Sequence, residues 1–185
     1  YSCKIRLGGE ERWHRIVARS TWSADDPPKY TGFIGKAVDI HDSHLKLATL
    51  EQEASHDALT GLLNHAYAQK RILAQMEESP TSQYALAILD LDHFKSANDN
   101  YGHSFGDQVL RHMAERLRFS IRGGDIAARV GGDEFLIFLE YNADLEPVIQ
   151  RIYNAISGGK FDEFTISVSM GVATTEKVGS NYDTL

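Results

Sequence analysis

The sequence holds one cysteine, Cys3, in 185 residues. A lone thiol closes no internal disulfide, and sparse cysteine is the usage of a reducing compartment such as the cytoplasm. No cluster of bases and histidines flanks Cys3, so it reads as a small buried hydrophobe or an inert thiol rather than a nucleophile. No stretch approaches the roughly 20 apolar residues of a membrane span, and no signal-peptide pattern is present. Basic residues are the minority, 19 against 26 acidic, giving a net charge of -7. That balance excludes a surface built to coat nucleic acid, which needs a basic stripe. It does not exclude a nucleotide substrate, because a bound cation can supply positive charge. Neither a P-loop nor a dinucleotide GxGxxG occurs, so any phosphate must be held by other means. The chain opens on Tyr1 rather than Met. A preceding segment is therefore expected, which leaves membrane attachment upstream open.

What is present is an ordinary globular mixture, 42% hydrophobic and 24% charged, long enough for one full domain and part of a second. Residues 1–41 alternate like strands. Segments 2–7 and 12–18 flank a hairpin turn at Gly8-Gly9-Glu10, and 30–39 follows a loop at Asp25-Asp26-Pro27-Pro28. About 40 residues are too few to bury a core alone. From 42 to 55 the spacing of Leu45, Leu47, Ala48, Leu50 and Ala54 predicts a connector helix. It is either a solvated helix or a short coiled-coil signalling helix, and so few heptads do not separate the two.

Beyond it lie Asp57-Ala58-Leu59-Thr60-Gly61-Leu62-Leu63-Asn64 and a helix ending near Glu78. Residues 84–92 form a nearly continuous apolar run, the mark of a strand covered on both faces. Residues 94–122 read as helix broken near Tyr101-Gly102. Strands at 126–130 and 135–140 flank a Gly131-Gly132 turn. A helix at 144–157 and a strand at 164–172 complete the pattern. This order predicts an α+β fold with helices covering a mainly antiparallel sheet.

Carboxylates gather at the strand ends. Asp90 and Asp92 are two residues apart, so both leave one face of a strand. Asp133 and Glu134 follow the paired glycines, whose freedom at φ > 0 permits a tight turn and close backbone approach. If that hairpin lies beside 84–92, Asp90 and Asp133 converge. Mg²⁺ commonly uses one or two carboxylates together with substrate phosphates. Taken singly, each feature is more often a solvated strand end or a plain hairpin. His41, His44 and His56 lie in or near the connector without cysteines, and read as solvated helix residues rather than zinc ligands.

Three ordered motifs together resemble the GGDEF family of diguanylate cyclases. Arg129-Val130-Gly131-Gly132-Asp133-Glu134-Phe135 carries the signature. Segment 90–107, from Asp90-Leu91-Asp92-His93-Phe94-Lys95 through Asn98 to Gly102-His103 and Gly106-Asp107, resembles the metal and guanine segment. Asp57-Ala58-Leu59-Thr60-Gly61-Leu62-Leu63-Asn64 resembles the opening motif, although His65 stands where the family usually has Arg. The resemblance covers about 55–185. Residues 1–41, ending Gly35-Lys36-Ala37-Val38-Asp39-Ile40, resemble the last strands of a PAS sensory domain. The expected organisation is PAS-like 1–41, linker 42–55 and GGDEF domain 56–185.

The resemblance implies a palm-like, ferredoxin-like sheet and the condensation of two GTP into cyclic di-GMP. It implies that Asp90, the Leu91 carbonyl and Asp133 hold Mg²⁺, with Mn²⁺ as an alternative ion. Asp133 or Glu134 would assist deprotonation of the attacking 3′-hydroxyl, with Asp133 favoured as both metal ligand and base, and Lys95 would offset phosphate charge. Backbone N–H groups of His93 and Phe94 would cradle phosphate, and Asn98, His103 and Asp107 would bind the nucleoside. Arg122 and Asp125 fit an RxxD product-inhibition motif, with Arg151 as a second contact for cyclic di-GMP. Each domain takes one GTP, so a homodimer is implied. The family also adds a further helix and strand beyond Leu185, with a Lys and an Arg that contact the GTP phosphates. The competing readings are a non-catalytic module that binds GTP or cyclic di-GMP and a dimerisation and signalling adaptor that uses the sensory part.

Overall fold

A computed structural model describes residues 2–7, 9–142, 144–179 and 182. Gly8 of the expected first hairpin turn lies outside the described residues. By its internal contacts the chain divides into two compact units, 1–52 and 53–185. Among the described residues no helix is long and apolar enough to cross a membrane.

The first unit is an antiparallel three-stranded sheet of β1 (Ser2–Leu7), β2 (Glu10–Trp22) and β3 (Tyr30–Asp39). Helix α1 (His41–Ser55) begins directly after β3. Trp13 of β2 stacks on His44 with ring centroids 4.4 Å apart. Arg12 donates to Asp39 at 2.6 Å and to Asp42 at 3.2 Å. These contacts tie the helix start to β2 and use the histidine as a packing group. Phe33, Ile34 and Trp22 stay exposed, as expected of a sheet this small.

The second unit is built on a five-stranded sheet in the order β10-β5-β7-β6-β4. Its strands are β4 (Leu63–Asn64), β5 (Gln83–Leu91), β6 (Ile126–Gly131), β7 (Glu134–Tyr141) and β10 (Val168–Thr174). Only β4 and β6 pair parallel; the other neighbours are antiparallel. Period-two alternation sends the side chains to two cores. Ala85, Ala87, Leu89 and Leu91 of β5 pack with Phe135, Ile137 and Leu139 of β7 on one face. Helices α4 (His103–Ser120) and α5 (Glu146–Ile156) cover that face through Val109, Met113, Leu117, Ile152 and Ile156. Tyr84, Leu86, Leu136 and Phe138 face the other way, under Ala68, Ile72 and Met76 of α2 (His65–Glu78). The fold is α+β, with a mainly antiparallel sheet flanked by helices. Thus β5 is apolar on both sides because helices lie on both.

Two expectations change in detail. The strand expected over 164–172 is interrupted. Phe164–Thr165 (β9) pairs instead with Lys160–Phe161 (β8), and β10 starts at Val168. The amide of Ile166 donates back to Gly159 at 2.8 Å, turning the chain between the two pairings. Apolar alternation continues across the break, so periodicity alone does not reveal it. The two-residue β4 was not foreseen, being too short to show a period. A last short helix, α6 (Thr175–Val178), follows β10.

Candidate active site

The site forms at one end of this sheet. In the β5–β7 register Asp90 lies opposite Glu134. Asp133 sits in the turn between β6 and β7, and its carbonyl accepts from the amide of Leu91 at 3.4 Å. Gly132 takes φ 54° in this turn, a conformation open to glycine without strain. Burial pushes the Asp90 carboxyl above its ordinary range, and the charges of Asp133, Glu134 and Asp92 add to the shift. Such mutual repulsion is relieved by a shared cation. The described residues contain no ready-made group of three or more His, Cys, Asp or Glu for a metal. Fewer than three acidic or imidazole donors are therefore preassembled here, and a cation would draw its remaining ligands from water and substrate. That fits a hard divalent cation of the kind that keeps waters and substrate phosphates.

Asp92 behaves differently from Asp90. It lies just past β5, its amide donates to Ser167 at 3.0 Å, and its carboxylate accepts from the hydroxyls of Ser167 and Ser169. These hydroxyls hold it below the ordinary carboxylate range. Asp92 is thus a fastener between β5 and β10, although alternation alone grouped it with Asp90.

The turn itself is clamped. Arg129 donates from Nε and Nη2 to the Gly132 carbonyl at 3.0 and 2.6 Å. Its Nη1 reaches the two oxygens of Asp57 at 3.2 and 3.3 Å. Asp57 Oδ1 also accepts from the amide and hydroxyl of Thr60 at 2.8 and 2.6 Å. Burial raises the Asp57 carboxyl, but Thr60 and Arg129 outweigh it, so it ends below its ordinary range. The opening motif therefore braces the signature turn through Arg129. Spacing alone does not reveal this role of Arg129; its one trace in the sequence is an Asp-x-x-Thr turn distant from an arginine. Asn64 caps α2 by accepting from Tyr67 N at 3.0 Å, and donates to Ala54 O at 2.9 Å. His65 is exposed, so neither residue forms part of this brace.

After β5 the chain turns sharply at His93, φ 60° and ψ 18°, into α3 (Phe94–Tyr101). This left-handed residue turns the chain from β5 into α3, whose first turn carries half-buried Phe94 and exposed Lys95. A helix start presents unpaired N–H groups and partial positive charge. Gly102, φ 86°, ends α3 and starts α4. This tight corner brings Asn98, His103 and Asp107 onto one paired-helix unit. Asn98 and Asp107 are half-buried and His103 is exposed. Phe105 packs against Tyr101, Phe161 and Phe164, anchoring α4 to the β8–β9 hairpin.

A second locus lies away from the carboxylates. Arg122 follows α4, its amide donates to Asp125 Oδ2 at 2.9 Å and its Nη2 to Glu140 O at 2.8 Å. The two side chains also pair at 3.7 Å. Arg122, Asp125, Glu140 and Tyr141 line a cavity of about 280 Å³. Arg151 donates to Ser120 O at 2.9 Å, at the end of α4, and does not line this cavity.

Residues 54–185 match the family described as diguanylate cyclase, GGDEF domain. The diguanylate cyclase DgcS of Shewanella oneidensis is 40% identical over 129 residues, covering 67% of this chain and 43% of DgcS. A sensory box/GGDEF family protein of Caulobacter crescentus superposes with a TM-score of 0.65 and 34% identity, covering 71% of this chain and 90% of that one. The coiled coil and GGDEF domain of DgcB from Caulobacter crescentus, solved with c-di-GMP, gives a TM-score of 0.65 and 30% identity, covering 73% and 76%. The chain spans less than half the length of the curated relatives it matches most strongly. The chain belongs to the GGDEF family.

Proposed function

We propose, from that membership, that the second unit condenses two GTP into cyclic di-GMP and pyrophosphate, under control of an N-terminal sensory module. What supports this reading is the register of Asp90 opposite Glu134 and the bond from the Leu91 amide to the Asp133 carbonyl at 3.4 Å, which bring the signature turn to the end of β5. One 3′-oxygen attacks the α-phosphorus of the other GTP, the bond to the pyrophosphate oxygen breaks, and the step then repeats in the opposite sense.

Asp90, the Leu91 carbonyl and Asp133 would hold a divalent cation, Mg²⁺ with Mn²⁺ as an alternative. When bound, it supplies neutralisation of phosphoryl charge and acidification of a hydroxyl. Asp133, favoured over the alternative base Glu134, accepts the proton of the 3′-hydroxyl. Lys95 offsets charge developing on the phosphoryl oxygens. The N–H groups of His93 and Phe94 donate to phosphate at the start of α3. Asn98, His103 and Asp107 take the nucleoside. Asp107, an acceptor only, suits the N1–H and N2–H of guanine. Adenine presents a lone pair at N1 and no amine at C2, and an unmet buried partner costs about 1–3 kcal/mol.

One such unit holds one GTP, so two copies facing each other complete the reaction. The Arg122–Asp125 cavity is assigned to cyclic di-GMP as product inhibitor. Arg151, whose Nη1 donates to Ser120 O, keeps further guanidinium N–H donors and is the second contact assigned to cyclic di-GMP. The first unit is read as the end of a PAS-type domain (1–41), with 42–55 as signalling linker and 56–185 as the cyclase domain. Its three-stranded antiparallel sheet running straight into a helix supports this, as does the sensory box named for the Caulobacter relative. A cytoplasmic site for the cyclase domain follows from its substrate.

Incubating full-length protein with GTP and Mg²⁺ should yield cyclic di-GMP and pyrophosphate, and Asp133→Ala should yield neither. The second reading, binding of GTP or cyclic di-GMP without turnover, is favoured by the Arg122 cavity. It gains if nucleotide binds and no product forms.

A further inference from the structure

We infer that Gly106 is a positioning residue for guanine selectivity, because its missing side chain is what leaves Asn98 its place against α4. The inference rests on the reading of Asn98 and Asp107 as the guanine contacts.

Gly106 is buried at the fourth position of α4. Alanine there would favour the helix by about 1 kcal/mol on propensity alone, so something else holds glycine at this position. A Cβ built on Gly106 would lie 2.0 Å from Asn98 Oδ1, 2.9 Å from its Cγ and 3.2 Å from Phe94 Cζ. The contact with Asn98 is far inside van der Waals distance whichever way the amide is assigned. Asn98 has two short torsions, and its backbone is fixed in α3, whose last turn is closed by Gly102 N donating to Asn98 O at 2.8 Å. It can escape a methyl group only by swinging to another rotamer. Phe94, one turn earlier on the same face of α3, narrows the choices. Within the described residues no side-chain hydrogen bond commits the Asn98 amide or the Asp107 carboxylate to another protein group. Gly106 adjoins Asp107 in sequence, so a methyl group there shifts Asn98 relative to the acid with which it would read guanine.

A helix-packing spacer would also be small, but its loss would weaken every nucleotide alike. Calorimetric titration of the full chain with GTP and with ATP separates the two roles. The variants are Gly106→Ala, Asn98→Ala and the double variant. Gly106→Ala and Asn98→Ala should each weaken GTP about tenfold, the scale of one lost hydrogen-bond partner, and leave ATP unchanged. The double variant should bind GTP no worse than Asn98→Ala, since the clash has lost its target. Gly106→Ala binding GTP as the wild type does while Asn98→Ala is weakened, equal weakening of both nucleotides, or additive losses in the double variant each overturn the inference. Unaltered GTP binding by Asn98→Ala overturns the guanine-site reading itself, and the inference with it. If Gly106→Ala fails to fold, the double variant should fold. Failure of both overturns the claim that Asn98 is what Gly106 accommodates.

Discussion

Replacing Arg129 by Met keeps most of the apolar stem and removes the clamp on the signature turn. The guanidinium loses its bonds to Gly132 O and to both oxygens of Asp57. Side-chain exposure is 13% for Arg129 and 24% for Asp57, so water replaces only part of what is lost. Hydrogen bonds to charged groups contribute about 1.5–3 kcal/mol each but are not additive within one cluster. A net loss of about 2–3 kcal/mol is expected, because Thr60 still satisfies Asp57. With a urea slope of about 2 kcal/mol/M, the midpoint should fall by about 1–1.5 M. Both tryptophans, Trp13 and Trp22, lie in the first unit. The transition of the second unit is therefore best followed by helical circular dichroism. The pH dependence gives an independent check. The folded carboxyl of Asp57 lies below its ordinary range, so its stabilisation is present above the unfolded pKa and is lost as pH falls through the folded value, below about pH 4. Arg129→Met raises that folded value toward normal, so the variant should lose less stability between pH 6 and pH 3 than the wild type does. An unchanged urea midpoint, or an identical acid loss in both proteins, would refute the clamp.

Asp90→Asn should stabilise the ligand-free protein slightly, about 0.5 kcal/mol, the scale of a like-charge pair facing across strands. The sign follows from a raised folded pKa: ionised Asp90 is unfavourable in the fold above that value. The same variant should lose the Mg²⁺-dependent rise in melting temperature expected of the wild type, and Mg²⁺ protection persisting in it would argue against Asp90 as a ligand. Asp92→Ala should cost about 1–2 kcal/mol by freeing the Ser167 and Ser169 hydroxyls, read as a lowered thermal midpoint; no loss would show that Asp92 fastens nothing. Asp107→Ala should lower kcat/KM for GTP while leaving ATP nearly unaffected, narrowing their ratio about 10–100-fold, and an unchanged ratio would remove Asp107 from guanine recognition. Arg122→Ala should relieve inhibition by cyclic di-GMP in initial-rate assays without changing the rate at low product, and retained inhibition would place the product elsewhere.

Much of the fold was legible because burial imposes periods on a chain. The apolar run at 84–92 reads as a strand covered on both faces, and the 94–122 pattern as helices broken near Tyr101-Gly102. The acids Asp90 and Asp133 stood out only through the family resemblance, since an acid at a strand end or glycine turn is by itself more often solvated. What alternation could not show was the difference between Asp90 and Asp92. Both leave the same strand end, but only the register with β10 supplies Asp92 with two serine hydroxyls. Pairing over such a distance leaves no local trace. The break at 166–167 was hidden for the same reason, because its cause is a bond back to Gly159.

By itself the sequence determined the family and the mixed fold, since motif spacing and hydrophobic period are properties of neighbouring residues. Only the tertiary structure decided which carboxylate faces which and why Arg129 and Gly106 matter. Those depend on contacts between residues far apart along the chain, Arg129 with Asp57 and Asp92 with Ser167, or between the packed helices α3 and α4. Their energies arise only after the sheet has closed.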